Sequence, residues 1–86
     1  MIQLNNDRRK ALGSFLREVR KSEKLPQATV AKHLGYTSVQ YVSNVERGVC
    51  SPSMAYLQGL ADLVPKQRTA IRRAVLKLLE ATLKGV

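Results

Sequence analysis

Polar side chains suited to reading base edges recur along one short segment of this sequence. Gln40, Ser43, Asn44 and Arg47 stand at positions i, i+3, i+4 and i+7, so a helix would place them along one side. Gln and Asn can each pair with N6 and N7 of adenine, and Ser can bond a base or a phosphate. Arg47 can reach a guanine or a phosphate. An ordinary solvated polar face has the same composition, so the surrounding elements must decide.

Two short helices, separated by a glycine, are predicted to position this face. The first runs from about 27 to 34, and Gly35 follows it where a left-handed helix end is expected. The second begins near Ser38, a good N-cap, and ends at Gly48. Two helices joined by a glycine-containing turn form a helix-turn-helix unit, here residues 27 to 46.

The inner side of this unit is apolar. Ala31 offers a small side chain where the second helix must cross the first. Val42 and Val45 are the inward pair of the second helix, and Tyr41 pairs with Val45 at i, i+4 and should be half-buried. Because valine is a poor helix former in isolation, tertiary packing must hold this helix.

Three further helices are predicted around the unit. The first helix of the chain spans about 7 to 22, with Asp7 as its N-cap or as a favourable charge at its positive end. A fourth helix follows Ser53 as N-cap and is closed by Pro65, and a fifth spans about 66 to 84. Leu12, Leu16 and Val19 give the first helix one buried stripe. Apolar residues also recur at helical spacing in the fourth helix: Met54, Leu57, Leu60, Ala61 and Val64.

Length and composition limit what the chain can be. Its 86 residues suffice for a single domain, 1 to 86, and its 15 Lys and Arg against 6 Asp and Glu give a charge of +9. That charge favours a polyanionic partner: DNA, RNA or an anionic membrane. A lone Cys50 excludes an internal disulfide and fits a reducing cytoplasm. Together with a lone His33 it cannot build a zinc site.

Other function classes lack their sequence signals. No apolar run approaches the roughly 20 residues that span a bilayer, and we expect no signal peptide. The sequence has no set of nucleophile, base and orienting group, and no glycine-rich phosphate loop. We therefore expect neither enzymatic activity nor a cofactor.

A long stretch, residues 12 to 64, carries a family pattern in one register. It reads LGSFLREVRKSEKLPQATVAKHLGYTSVQYVSNVERGVCSPSMAYLQGLADLV. This stretch resembles the phage-repressor and Cro-like helix-turn-helix family, also called the XRE family. The resemblance implies an all-α fold, namely a five-helix lambda-repressor-like domain. It also implies that the domain binds double-stranded DNA and places the second helix of its helix-turn-helix unit in the major groove.

The resemblance also assigns roles to individual residues. Gln27 is similar to the family's phosphate-contacting glutamine, and Arg20 with Glu46 is similar to its interhelical ion pair. Val39 occupies a base-reading position, where it can meet a thymine methyl group. The complete set of predicted DNA-binding residues is Gln27, Ser38, Val39, Gln40, Ser43, Asn44 and Arg47.

The sequence departs from the family pattern at three places. Between 35 and 46 it is one residue longer than the commonest spacing, and the extra residue lies in the turn at 36 to 38. In the loop GVCSPS, Val49 and Cys50 stand where relatives often carry Lys or Arg, so a phosphate contact there must come from backbone N–H groups or a serine. Phe15 stands where a charged residue is usual, and we expect it to pack on the C-terminal helix or on a partner subunit.

The C-terminal helix carries two apolar stripes, which together are wider than a small core requires. We expect one stripe to dock on the first and fourth helices, and the other to form a symmetric dimer contact through Leu76, Leu79 and Leu83. A two-fold dimer would place two recognition helices roughly 34 Å apart and predicts a near-palindromic operator. A longer core helix in a monomer is the alternative.

The sequence thus favours a small dimeric, repressor-like transcriptional regulator of the cytoplasm. An antitoxin-like or other protein-interaction module, which would bind a protein partner through its C-terminal helix, is the alternative. A membrane-surface or RNA-binding protein fits less well. The chain lacks a large apolar face beside a basic one, and it lacks exposed aromatic residues for base stacking.

Overall fold

Five α-helices and one 3₁₀ turn form the part of the chain that the computed structural model describes, residues 4 to 84. No strand occurs in that part, so the predicted all-α, five-helix fold class is confirmed. The α-helices are α1 (Asn6–Ser22), α2 (Gln27–His33), α3 (Gln40–Glu46), α4 (Met54–Leu63) and α5 (Arg68–Lys84), and the 3₁₀ turn is Pro65–Gln67.

Capping residues set the helix starts, and the starts of α1, α3 and α5 differ from the prediction by one or two residues. The N-cap of α1 is Asn5, whose Oδ1 accepts a hydrogen bond from the Arg8 backbone N–H at 2.8 Å, and Asp7 lies in the first turn as a favourable charge. Ser53 caps α4 as predicted, since its hydroxyl accepts from the Tyr56 N–H at 3.1 Å. The 3₁₀ turn that Pro65 opens moves the start of α5 past the predicted residue 66.

The start of α3 is the correction that matters for function. Ser38 is not its N-cap, because the helix begins at Gln40 and follows Val39, whose backbone is already right-handed helical. The Ser38 hydroxyl instead accepts from the Gln40 backbone N–H at 3.3 Å, a local two-residue turn. Gly35 has a φ of +82°, so the predicted left-handed helix end is confirmed.

The core lies between α1, α2 and α3 and continues to α4 and α5, which pack against α2 and α1. Val42 and Val45 are fully buried, which confirms that packing holds this short helix, and Ala31 of α2 is buried beside them. Tyr41 is half-buried, also as predicted, and Phe15 packs partly buried against the same core. The remaining buried apolar residues are Leu4, Leu12, Leu16, Val19, Val30, Tyr56, Leu57, Leu60, Val64 and Ile71.

The backbones of α1 and the end of α3 approach each other closely at Gly13. A Cβ on Gly13 would lie 2.9 Å from the carbonyl oxygen of Glu46, and closer still to that of Val45. Only glycine therefore lets the two backbones approach this far. On the same side, Arg9 Nε donates to the carbonyl of Gly48 at 2.7 Å, so α1 also satisfies a carbonyl beyond the end of α3.

Candidate nucleic-acid interface

The outer side of α3 carries a connected row of polar side chains. Gln40 and Arg47 are exposed, while Ser43 and Asn44 are half-buried beside them. Gln40 Nε2 donates to Asn44 Oδ1 at 2.9 Å, and Arg47 Nη2 donates to the same oxygen at 2.7 Å. The structure therefore brings the predicted readers together on one face, with three of them joined by hydrogen bonds.

The residues just before α3 extend this face. Val39 is 40% exposed and Ser38 is exposed, so both can meet a ligand that lies along the helix. Both residues also line a shallow cleft of about 260 Å³ beside α2, and Lys32 of α2 lines the same cleft. This end of the face therefore offers the apolar group of Val39 and the hydroxyl of Ser38, in addition to the amides and the guanidinium farther along α3.

A buried ion pair fixes the orientation of α3 from behind. Arg20 Nε lies 2.6 Å from Glu46 Oε2, Arg20 Nη2 lies 3.0 Å from Oε1, and the side chains are only 12% and 3% exposed. The Glu46 hydrogen bond raises the pKa of Arg20 above its ordinary value, so the guanidinium stays charged. Arg20 Nη1 also donates to the carbonyl of Leu25 at 2.7 Å. This bidentate geometry ties the end of α1 to the end of α3.

Gln27 belongs to the same network. Its Nε2 donates to Glu46 Oε1 at 3.1 Å, which joins the start of α2 to α3. One N–H of the amide is thus occupied within the protein, and the second N–H can donate to a phosphate oxygen. The position of α2 relative to α3 is set by a polar contact as well as by the apolar core.

A polar cleft of about 330 Å³ opens above this network. Its walls include Arg17 from α1, Gln27 from α2, and Ser43 and Arg47 from α3. The guanidinium, amide and hydroxyl donors suit the oxygens of a phosphate backbone. No role for Arg17 was predicted from the sequence, although its spacing of three residues from Arg20 places both arginines on one side of α1.

Three tyrosine rings pack together at the N-terminal end of α3. The ring of Tyr41 packs edge-on against Tyr36 at 5.0 Å and against Tyr56 at 5.7 Å between centroids. The Tyr41 hydroxyl donates to the carbonyl of Ser51 and accepts from the Ser53 backbone N–H, both at 3.2 Å. The turn at 36 to 38 is therefore anchored by Tyr36, and the sequence placed this residue in the turn without indicating its packing role.

A second surface, which is apolar, lies between α4 and α5. Met54, Ala61, Val75 and Leu76 are among the residues lining a groove of about 350 Å³ between α4 and α5. Met54 and Leu76 are each 48% exposed. Of the predicted dimer residues, Leu76 is therefore accessible, while the side chains of Leu79 and Leu83 lie outside the described residues.

Metal-binding and membrane-spanning features are not found in the described part of the chain. Between residues 4 and 84, no group of three or more His, Cys, Asp and Glu side chains could hold a metal ion. None of the helices described there is both long enough and apolar enough to cross a membrane.

A family model described as a helix-turn-helix domain matches residues 11 to 71, a range that begins within α1, includes α2 to α4 and ends within the first turn of α5. No similar curated protein and no similar solved structure is found for this sequence.

Proposed function

The chain belongs to the helix-turn-helix domain family, and from that premise we propose that it is a sequence-specific regulator of transcription. Such domains bind DNA, and α3 is the element that would enter the major groove. The observation that carries the proposal is the connected face of Gln40, Asn44 and Arg47 on a helix that buried contacts hold rigidly. The charge of +9 supplies the general attraction to DNA.

We assign the contacts by position on this face. Gln40, Ser43 and Asn44 meet base edges, and Val39 packs on a thymine methyl group. Around them, Gln27, Ser38 and Arg17 contact phosphates, and Arg47 lies at the edge between bases and backbone. The Cro-like, repressor-type character and a cytoplasmic location are part of the same proposal, which includes no enzymatic activity.

We also propose that the active species is a homodimer formed through α5. The exposed apolar side chains of Met54 and Leu76 support this contact, and Leu79 and Leu83 continue the sequence pattern. A two-fold dimer would present two copies of α3 to half-sites about 34 Å apart. The same apolar groove also supports the second candidate, a protein-interaction module of the antitoxin type.

Selection from random duplexes, followed by gel-shift titration, tests the DNA-binding proposal. We expect a recurrent, near-palindromic sequence, and we expect Gln40→Ala and Asn44→Ala to weaken the preference for it. Gln67→Ala is a matched control, since this amide lies on the 3₁₀ turn and contacts Ser22 instead of α3. If both α3 variants keep the wild-type preference while salt still weakens binding, the assigned readers are wrong.

A purification experiment separates the two candidate functions. A regulator should be recovered as a homodimer that binds the selected duplex with no other protein present. Recovery of a second protein in stoichiometric amount would favour the interaction module if Leu76→Asp loses both that protein and DNA binding. Retention of DNA binding by the isolated chain would exclude a partner as a requirement.

A further inference from the structure

We propose that Arg47 is a positioning residue that fixes the direction of the Gln40 amide and thereby makes Gln40 a reader of adenine. This inference rests on the proposed function, because it concerns how the outer face of α3 meets a base. It changes the role of Arg47 from a DNA contact to a residue that acts through Asn44 on Gln40.

The first step concerns the atom of Asn44 that faces Arg47. A guanidinium group has five N–H donors and no acceptor. The Asn44 atom that lies 2.7 Å from Arg47 Nη2 must therefore be the carbonyl oxygen Oδ1. Arg47 ends α3 as its C-cap, and its own backbone N–H donates to the Ser43 carbonyl at 3.0 Å, so the donor starts from an ordered position.

The second step transmits this choice to Gln40. Asn44 Oδ1 also lies 2.9 Å from the end of the Gln40 side chain, and an oxygen acceptor requires a donor there. The Gln40 nitrogen Nε2 must point toward Asn44, which leaves Oε1 and one remaining N–H for a ligand. A flipped amide would exchange donor and acceptor along the outer edge of Gln40.

The third step matches that edge to a base. Adenine presents a donor at N6 and an acceptor at N7 in the major groove, the complement of an amide oxygen and an amide N–H. Both lone pairs of Asn44 Oδ1 are already occupied, so Asn44 keeps only its Nδ2 donors for DNA. Gln40 is therefore the bidentate adenine reader on this face, and Asn44 relays the direction that Arg47 sets.

The test measures discrimination at one base pair. A duplex is first selected with the wild-type chain, and the position read by Gln40 is the one whose preference disappears in Gln40→Ala. The dissociation constants for all four base pairs at that position are then measured at several salt concentrations. We expect the wild type to prefer A·T by about 5-fold to 150-fold, and Arg47→Met to lose most of that preference.

A rescue variant distinguishes positioning from direct contact. Aspartate at position 44 has only acceptor oxygens, so it holds Gln40 Nε2 inward without help from Arg47. The double variant Asn44→Asp/Arg47→Met should recover the adenine preference that Arg47→Met loses, while its affinity for every sequence falls because a negative charge is added. Arg73→Met, an exposed arginine on α5, is the matched control and should keep the preference.

Each remaining outcome is decisive. If Arg47→Met keeps the full preference, the inference is wrong. A log–log salt slope that is smaller by about 1 would then identify Arg47 as a phosphate contact. If the preference is lost and the double variant does not recover it, Arg47 reads the base directly and the inference is again wrong. If the wild type selects no sequence, the proposed function itself fails.

Discussion

Removal of the Glu46 carboxylate is the most informative perturbation of the scaffold behind α3. In Glu46→Ala the charged Arg20, only 12% exposed, loses two hydrogen bonds and keeps the one to the Leu25 carbonyl. Gln27 loses its partner as well. Breaking one side of a buried ion pair costs about 3–5 kcal/mol, because a buried charge is left uncompensated.

That cost is large for a chain of this size. Small domains have a free energy of unfolding of about 5–15 kcal/mol. Each kcal/mol shifts the melting temperature of a domain of about 60–100 residues by about 4–8 °C, so we expect a fall of roughly 12–40 °C. Equilibrium urea unfolding, followed by far-ultraviolet circular dichroism, measures the loss directly, and an unchanged slope against urea would show that the unfolded state is unaffected.

The exposed pair between Arg68 and Asp62 provides the matched control. Its atoms lie 3.0 Å apart, but the side chains are 59% and 68% exposed, so Asp62→Ala should cost about 0–1 kcal/mol. The double variant Arg20→Met/Glu46→Leu should recover most of the stability that Glu46→Ala loses, because no unpaired charge stays buried. If Glu46→Ala costs no more than Asp62→Ala, burial does not govern this network and the reasoning is refuted.

Three further predictions concern packing, ionisation and assembly. Gly13→Ala should destabilise the fold by about 1–3 kcal/mol in urea unfolding, since its Cβ would meet the Glu46 carbonyl at 2.9 Å; a gain in stability would contradict the close approach. Burial raises the pKa of Tyr56 above its ordinary value of 10.0, so only the unfolded chain releases this proton near pH 10. The contribution of Tyr56 to the free energy of unfolding should therefore be fully present below pH 10. Above pH 10 the free energy of unfolding should fall by up to about 1.4 kcal/mol per pH unit, and Tyr56→Phe should show a shallower fall. Leu76→Asp should give a folded monomer in sedimentation velocity, and an unchanged assembly state would exclude this residue from the dimer contact.

Local signals predicted the helices well because each depends on neighbouring residues. Gly35 ends α2 since a left-handed residue is needed there, and the Ser53 hydroxyl caps α4 within three residues of its own position. The inward positions of Val42 and Val45 follow from helical spacing alone.

Features that depend on contacts across the chain could not be predicted in the same way. The Ser38 hydroxyl can cap a helix or close a two-residue turn. It closes the turn in the structure, where Tyr36 packs against Tyr41. Spacing placed Gln40 and Asn44 on one face, but it could not show which amide atom faces which partner. The close approach at Gly13 likewise depends on the docking of α1 against α3.

The ratio of two dissociation constants tests the central claim most directly. One constant is for the duplex selected by the wild-type chain, and the other is for a scrambled duplex of the same length and composition at the same physiological salt concentration. A helix-turn-helix reader should bind the selected duplex about 10³-fold more tightly, or better. A ratio near one, with both affinities falling steeply as salt rises, would show that the basic chain binds DNA only through its charge and would contradict the account.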